Sequence, residues 1–166
     1  MKFISALIFL ASVILVQTQA LADAPSASVD VALVPAGSFV GKTQDVKGEA
    51  TLDGDTVRAE NIIVNLKDLK TGVKLRDEHT QKHLETDKFP QAILVKAVGK
   101  GGKGGAIIKI KGVDEKVSGT YKIEGSTLIA DFPVKLSVHQ ITGIKYMGIG
   151  VDDQVKIHVE IPIKKK

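Results

Sequence analysis

Val155-Lys156-Ile157-His158-Val159-Glu160-Ile161-Pro162-Ile163 alternates apolar and polar residues almost without a break. An extended chain sends successive side chains to opposite faces. Val155, Ile157, Val159, Ile161 and Ile163 therefore share one face, and Lys156, His158, Glu160 and Lys164 the other. A strand with one apolar and one wet face belongs to an antiparallel sheet buried on one side. Pro162 has no N–H to give to a ladder and suits an edge or a strand end.

The same reading extends upstream. Leu128, Ala130, Phe132, Val134, Leu136 and Val138 form one face against Thr127, Asp131, Lys135, Ser137 and His139. Before them, Val117, Gly119, Tyr121 and Ile123 alternate with Ser118, Thr120, Lys122 and Glu124. Further strands are expected at Val29–Leu33, Ser38–Lys42, Val46–Leu52, Thr56–Leu66, Gln91–Val98 and Ala106–Lys111. Glu124-Gly125-Ser126 and Asp53-Gly54-Asp55 supply hairpin turns between such runs. Short strands joined by short turns point to a sandwich or an up-and-down barrel.

One stretch breaks the pattern. Leu75 to Glu85 lacks alternation, is rich in helix formers and is stopped by Pro90. It is expected to be a single helix, with Asp77 as its N-cap, lying as a lid on one end of the sheet structure.

The N-terminus reads as a secretory leader. Lys2 precedes the apolar run Phe3 to Val16, and Ala20-Leu21-Ala22 offers a cleavage site before Asp23. Residues 1–22 are thus expected to be a signal peptide and 23–166 one mature domain, exported and periplasmic. Removing Lys2 with the leader leaves 22 basic and 19 acidic residues, a net charge of +3. Such a small, dispersed excess argues against a nucleic-acid partner. The chain has no cysteine, so disulfides and thiol chemistry contribute nothing. Lys164 to Lys166 read as a solvated tail, compatible with transient membrane contact, and a homodimer is equally compatible with the sequence.

Catalytic motifs find little support. Lys103 in Gly99-Lys100-Gly101-Gly102-Lys103-Gly104-Gly105 is followed by glycine and a strand rather than by Ser or Thr and a helix, so this is a hairpin and not a phosphate loop. His79 and His83 stand one helical turn apart, which leaves a metal-binding or enzymatic protein built on that helix as an alternative. Asp77 and His79, two residues apart, do not face each other on a helix. There is no Gly-x-Ser-x-Gly elbow. No cofactor is implied, and the chain is read as a non-enzyme.

The five aromatics of the mature chain, Phe39, Phe89, Tyr121, Phe132 and Tyr146, are too few to plug a barrel with rings. An aliphatic lumen would accept a hydrocarbon chain, since each buried CH₂ contributes about 0.8 kcal/mol. Periodicity alone leaves this hollow reading level with a filled barrel or sandwich serving as an interaction module.

Thr71-Gly72-Val73-Lys74-Leu75-Arg76-Asp77-Glu78-His79, then Leu84 and Phe89-Pro90, closely resembles the signature of the YceI-like family. Val46 to Ala50, Val117 to Tyr121, Ile141 to Ile144 and Val155 to Val159 also look like family positions, so the resemblance spans about Ser28 to Pro162. It implies an all-β, eight-stranded antiparallel lipocalin-like barrel with one short helix near its mouth. It also implies an exported protein that binds a polyisoprenoid or another long-chain amphiphile in the lumen. The tail would then lie against Phe39, Ile93, Val95, Ile108, Ile110, Tyr121, Ile123, Phe132, Val134, Leu136, Ile157 and Val159. Arg76 and His79 would meet a polar head group, with Asp77 capping the helix or orienting its neighbours.

Overall fold

The alternating stretches become strands that close on themselves. The computed structural model describes residues 24–166, so the expected leader, residues 1–22, lies outside the described residues. In chain order the elements are β1 (Ser26–Val34), β2 (Ser38–Thr43), β3 (Val46–Lys47), β4 (Ala50–Asp53), β5 (Thr56–Asn65), α1 (Lys74–Leu84), β6 (Gln91–Lys100), β7 (Lys103–Ile110), β8 (Val113–Glu124) and β9 (Thr127–Lys135). A 3₁₀ helix, Leu136–His139, then leads to β10 (Lys145–Tyr146), β11 (Ile149–Val151) and β12 (Gln154–Lys165).

Seven strands form a closed ring: β12, β4, β5, β6, β7, β8, β9 and back to β12. The ring differs from the eight expected because β4 pairs parallel to the end of β12, Ile163 with Ala50, and shuts the barrel there. Further along β12, β1 takes that edge through Ser26–Asp30, and β2 pairs with β1. These two strands extend the wall at one end, where Lys42 of β2 bridges to Lys70. The break between β3 and β4 falls at Gly48 (φ +122), where a Cβ would meet Ile62 Cδ1 at 2.6 Å. Only glycine fits there.

The strand register sorts the connections into two ends. Thr56 pairs with Lys100, Lys103 with Thr120 and Glu124 with Thr127, which gathers three tight turns at one end. Asn65 with Gln91, Ile110 with Val113 and Leu33 with Val151 mark the other. That second end carries α1, the β1–β2 turn and the 136–153 segment.

Two expectations need correction. The alternation read through Val138 and His139 stops at Lys135, because Ser137 N and Oγ donate to the Asp153 carboxylate, both at 2.8 Å. This turns the chain into the 3₁₀ helix and buries His139 completely, where a polar strand face was expected. Nor is Asp77 the helix N-cap. Val73 holds that position without a side-chain bond, and Asp77 sits inside the first turn.

The core lies within the ring, with Ala50, Ile62 and Val134 almost inaccessible. In β6 a register shift between Leu94 and Lys96 places a bulge at Val95. Leu94 before it and Ala97 after it both pack inward. A bulge reverses side-chain parity, so the uniform face assumed through Ile93 and Val95 does not persist.

Candidate ligand-binding site

The interior holds two adjoining cavities. The lower one, about 220 Å³, runs down the ring. The upper one, about 360 Å³, lies beneath α1. Val29, Leu69, Leu84, Leu136, Ile141 and Val155 line both, so a single apolar collar joins them.

The lower chamber is walled largely by aliphatic side chains from β5, β6, β7, β8, β9 and β12 of the ring, with Ala27 and Val29 of β1. Its floor is Tyr121, whose ring lies so close to Gly99 that a Cβ there would meet Cε1 at 2.5 Å. Among the expected contact residues, Ile93, Ile108, Ile110, Tyr121, Phe132, Val134, Leu136, Ile157 and Val159 border this chamber. Val95 and Ile123 do not. Val95 sits at the bulge, and Ile123 packs against the core beyond the floor. Phe39 belongs to the upper chamber.

The upper chamber differs in chemistry. Among the described residues, its side-chain polar groups come only from Thr71, Arg76, His79, Thr80 and His83, all in α1 and the loop before it. Arg76 is the most tightly held. Its Nη2 donates to Thr71 O at 2.9 Å, and its guanidinium carbon stands 4.5 Å from the Phe39 ring centroid. Its Nε is buried and has no hydrogen-bond partner. Asp77 accepts from Thr71 N and Thr71 Oγ1, both at 2.6 Å. Those bonds hold its carboxyl below the usual carboxylate range. Thr71 is thus gripped by Arg76 and Asp77 together, which fixes the loop to the helix and aims Arg76 inward. Asp77 orients its neighbours rather than capping the helix.

His79 is exposed at the rim, and His83 is half-buried deeper in. Burial, followed by the neighbouring His79, Lys82 and Lys111 charges, pushes the His83 pKa down. The two histidines share this wall, but His139 and His158 are committed elsewhere. His139 Nδ1 lies 3.2 Å from Ile110 O and its Nε2 2.9 Å from a Glu115 oxygen. His158 lies between Asp131 and Glu160, at 3.0 and 3.1 Å. Among the described residues no three ligand-type side chains converge as a metal site requires.

Several positions that shape the mouth carry no strand or helix periodicity. Leu69, Ile141 and Ile144 line it from connecting segments. Lys111, in the β7–β8 turn, is almost buried, pairs with Glu85 at 2.6 Å and donates to Gln140 O at 3.4 Å. With His139 and Glu115 it binds both covers of the mouth, α1 and the 136–153 segment, to one hairpin. In the sequence Lys111 stands only as the last residue of the strand expected at Ala106–Lys111.

The YceI-like domain family model matches residues 22–163. The crystal structure of BcnA from Burkholderia cenocepacia superposes with a TM-score of 0.58 at 16% identity, covering 81% of this chain and 94% of that one. A polyisoprenoid-binding domain from Saccharophagus degradans superposes with a TM-score of 0.52 at 10% identity, covering 84% and 92%. Such low identities speak for the fold alone. No curated protein is significantly similar in sequence. With a matched span that covers nearly every described residue, the chain belongs to the YceI-like family.

Proposed function

We propose that this is an exported, periplasmic binding protein that holds one long-chain amphiphile, its tail in the lower chamber and its head beneath α1. One observation carries the reading: an aliphatic chamber opens through an apolar collar into a chamber whose polar side chains, among the described residues, all come from residues 71–83. Each CH₂ of a tail removed from water contributes about 0.8 kcal/mol. At the head, Arg76 Nε is a buried donor without a partner. An unmet buried donor costs roughly 1–3 kcal/mol, which a ligand oxygen would recover.

A polyisoprenoid suits the walls, since its branched chain matches the Val, Ile and Leu lining. The fold neighbour from S. degradans, described as a polyisoprenoid-binding domain, supports the same class. We read the protein as a carrier and not as an enzyme. Lipid extraction from protein purified from its own host is the test. A single class of bound amphiphile supports the reading. The reading fails if no amphiphile is extracted and added polyprenyl compounds do not bind. N-terminal sequencing of the same material should begin at Asp23; an intact Met1 would refute export through cleavage.

A further inference from the structure

The two ends of the barrel carry different residues at their tips. At the floor end the turns are Asp53-Gly54-Asp55, Lys100-Gly101-Gly102-Lys103 and Glu124-Gly125-Ser126, without one large apolar side chain. At the mouth the tips are Val34-Pro35-Ala36-Gly37, Lys70-Thr71-Gly72-Val73-Lys74-Leu75 and Lys145-Tyr146-Met147-Gly148-Ile149. Among the described residues, five of the eight exposed large apolar side chains are here: Val34, Val73, Leu75, Met147 and Ile149. Met147 is 85% exposed. The register ties the tips together, because Val34 and Lys145 both pair with Gly150. Val73, Leu75 and Ile149 also border the upper chamber.

Charge at these tips has one sign. They contain Lys70, Lys74 and Lys145 and no carboxylate. The nearest acids in the chain are Asp68 before the second tip, bonded to Asn65, Asp77 and Glu78 on α1, and Asp152 and Asp153 behind the third tip. Asp77 and Asp153 are engaged with Thr71 and Ser137.

We propose that this rim docks on an anionic lipid bilayer, so that an amphiphile passes from membrane to lumen without crossing water. The proposal rests on the binding reading above and names where the cargo is exchanged. Exposed aliphatic residues ringed by lysines match the interfacial zone, where apolar side chains enter the acyl boundary and cations meet lipid phosphates. Each lysine near such a surface contributes roughly a fivefold factor in partitioning. Salt screens that share.

The test is flotation of the full mature protein with vesicles of phosphatidylglycerol and phosphatidylcholine, or of phosphatidylcholine alone. The comparison variant is Met147→Asp with Lys74→Glu and Lys145→Glu. None of the three positions borders either chamber, and Asp tolerates the φ of +49° at Met147. The wild type should float with anionic vesicles at least tenfold more than with neutral ones or than the variant. Salt should weaken that binding. Uptake of diphenylhexatriene, an apolar probe, should be equal in both proteins. Probe uptake without flotation on anionic vesicles overturns the docking and leaves the carrier reading intact. Flotation without probe uptake overturns the carrier reading and not the docking. Equal flotation on both vesicle types, with a wild-type dimer that the variant breaks, assigns the rim to a second copy and overturns the proposal.

Discussion

The floor and the mouth of the barrel are closed by different physics. At the floor, strands adjacent in sequence turn back through glycine hairpins, and Tyr121 fills the space that Gly99 leaves open. Little beyond neighbouring strands is needed. The mouth gathers segments far apart in the chain, α1, the β7–β8 turn and residues 136–153, and fastens them with polar bonds made by the buried His139 and by Lys111. Local hairpins and one ring close the floor, whereas side-chain bonds between distant segments help to hold the mouth.

Breaking the mouth should have the largest effect. His139→Ala empties a fully buried site and leaves Glu115 without its partner. It should cost about 2–4 kcal/mol in urea unfolding, as cavity and lost hydrogen bonds combine. A loss under about 0.5 kcal/mol would mean that the 136–153 cover is not tied down as described.

At the opposite side of the comparison, Gly119→Ala tests the tightness of the wall near the floor. Its Cβ would press on Asp131 O and Phe132 Cβ. Overpacking of this kind costs roughly 1–3 kcal/mol, read from the same unfolding curves. A neutral substitution would show a looser floor than the backbone implies.

Arg76→Met separates head-group chemistry from stability. The methionine keeps much of the apolar contact with Phe39 but removes the donor. Affinity for an anionic or polar-headed amphiphile should fall about tenfold or more, equivalent to about 1.4 kcal/mol. Binding of a headless hydrocarbon probe should hardly change. Equal losses for both would assign Arg76 to shaping the cavity alone.

The smallest effect is expected outside the lumen. His158 has its pKa raised by the hydrogen bond to Asp131, with burial opposing and Glu160 assisting. A raised folded-state pKa adds stability below the ordinary histidine value of 6.5, and that share is lost as pH rises through the raised value. The side chain is a third exposed, so the loss is small. Tm should fall slightly as pH rises above 6.5, and His158→Gln should flatten that slope. An unchanged slope in the variant would remove His158 from the account.

The same contrast governs what the sequence disclosed. The strands around the floor are local patterns: the alternation of Val155 to Ile163 names the inner face of β12, and Leu128 to Val134 that of β9. Parity failed where the backbone steps out of regular pleating. The bulge at Val95 and the left-handed Asn61 (φ 54) leave no mark on hydrophobic alternation. His139 failed for a non-local reason, since the carboxylate that ends its strand belongs to Asp153, 16 residues beyond Ser137. The helix was legible from composition, but the partner of Asp77 was not, because Thr71 lies six residues back across a loop. The Thr71–Pro90 stretch pointed to the mouth, and the structure gives its threonine, arginine and aspartate one shared role in joining the loop to the helix.

The central claim, that the tail occupies the lower chamber, is tested most directly by native mass spectrometry of the mature protein with a polyprenyl amphiphile. Wild type is compared with Ala106→Phe, which puts a ring into the lower chamber while leaving α1 untouched. Each wild-type chain should carry one ligand, and the filled variant should lose at least tenfold in loading while both proteins fold equally by circular dichroism. No adduct on the wild type, or equal loading of the filled variant, would contradict it.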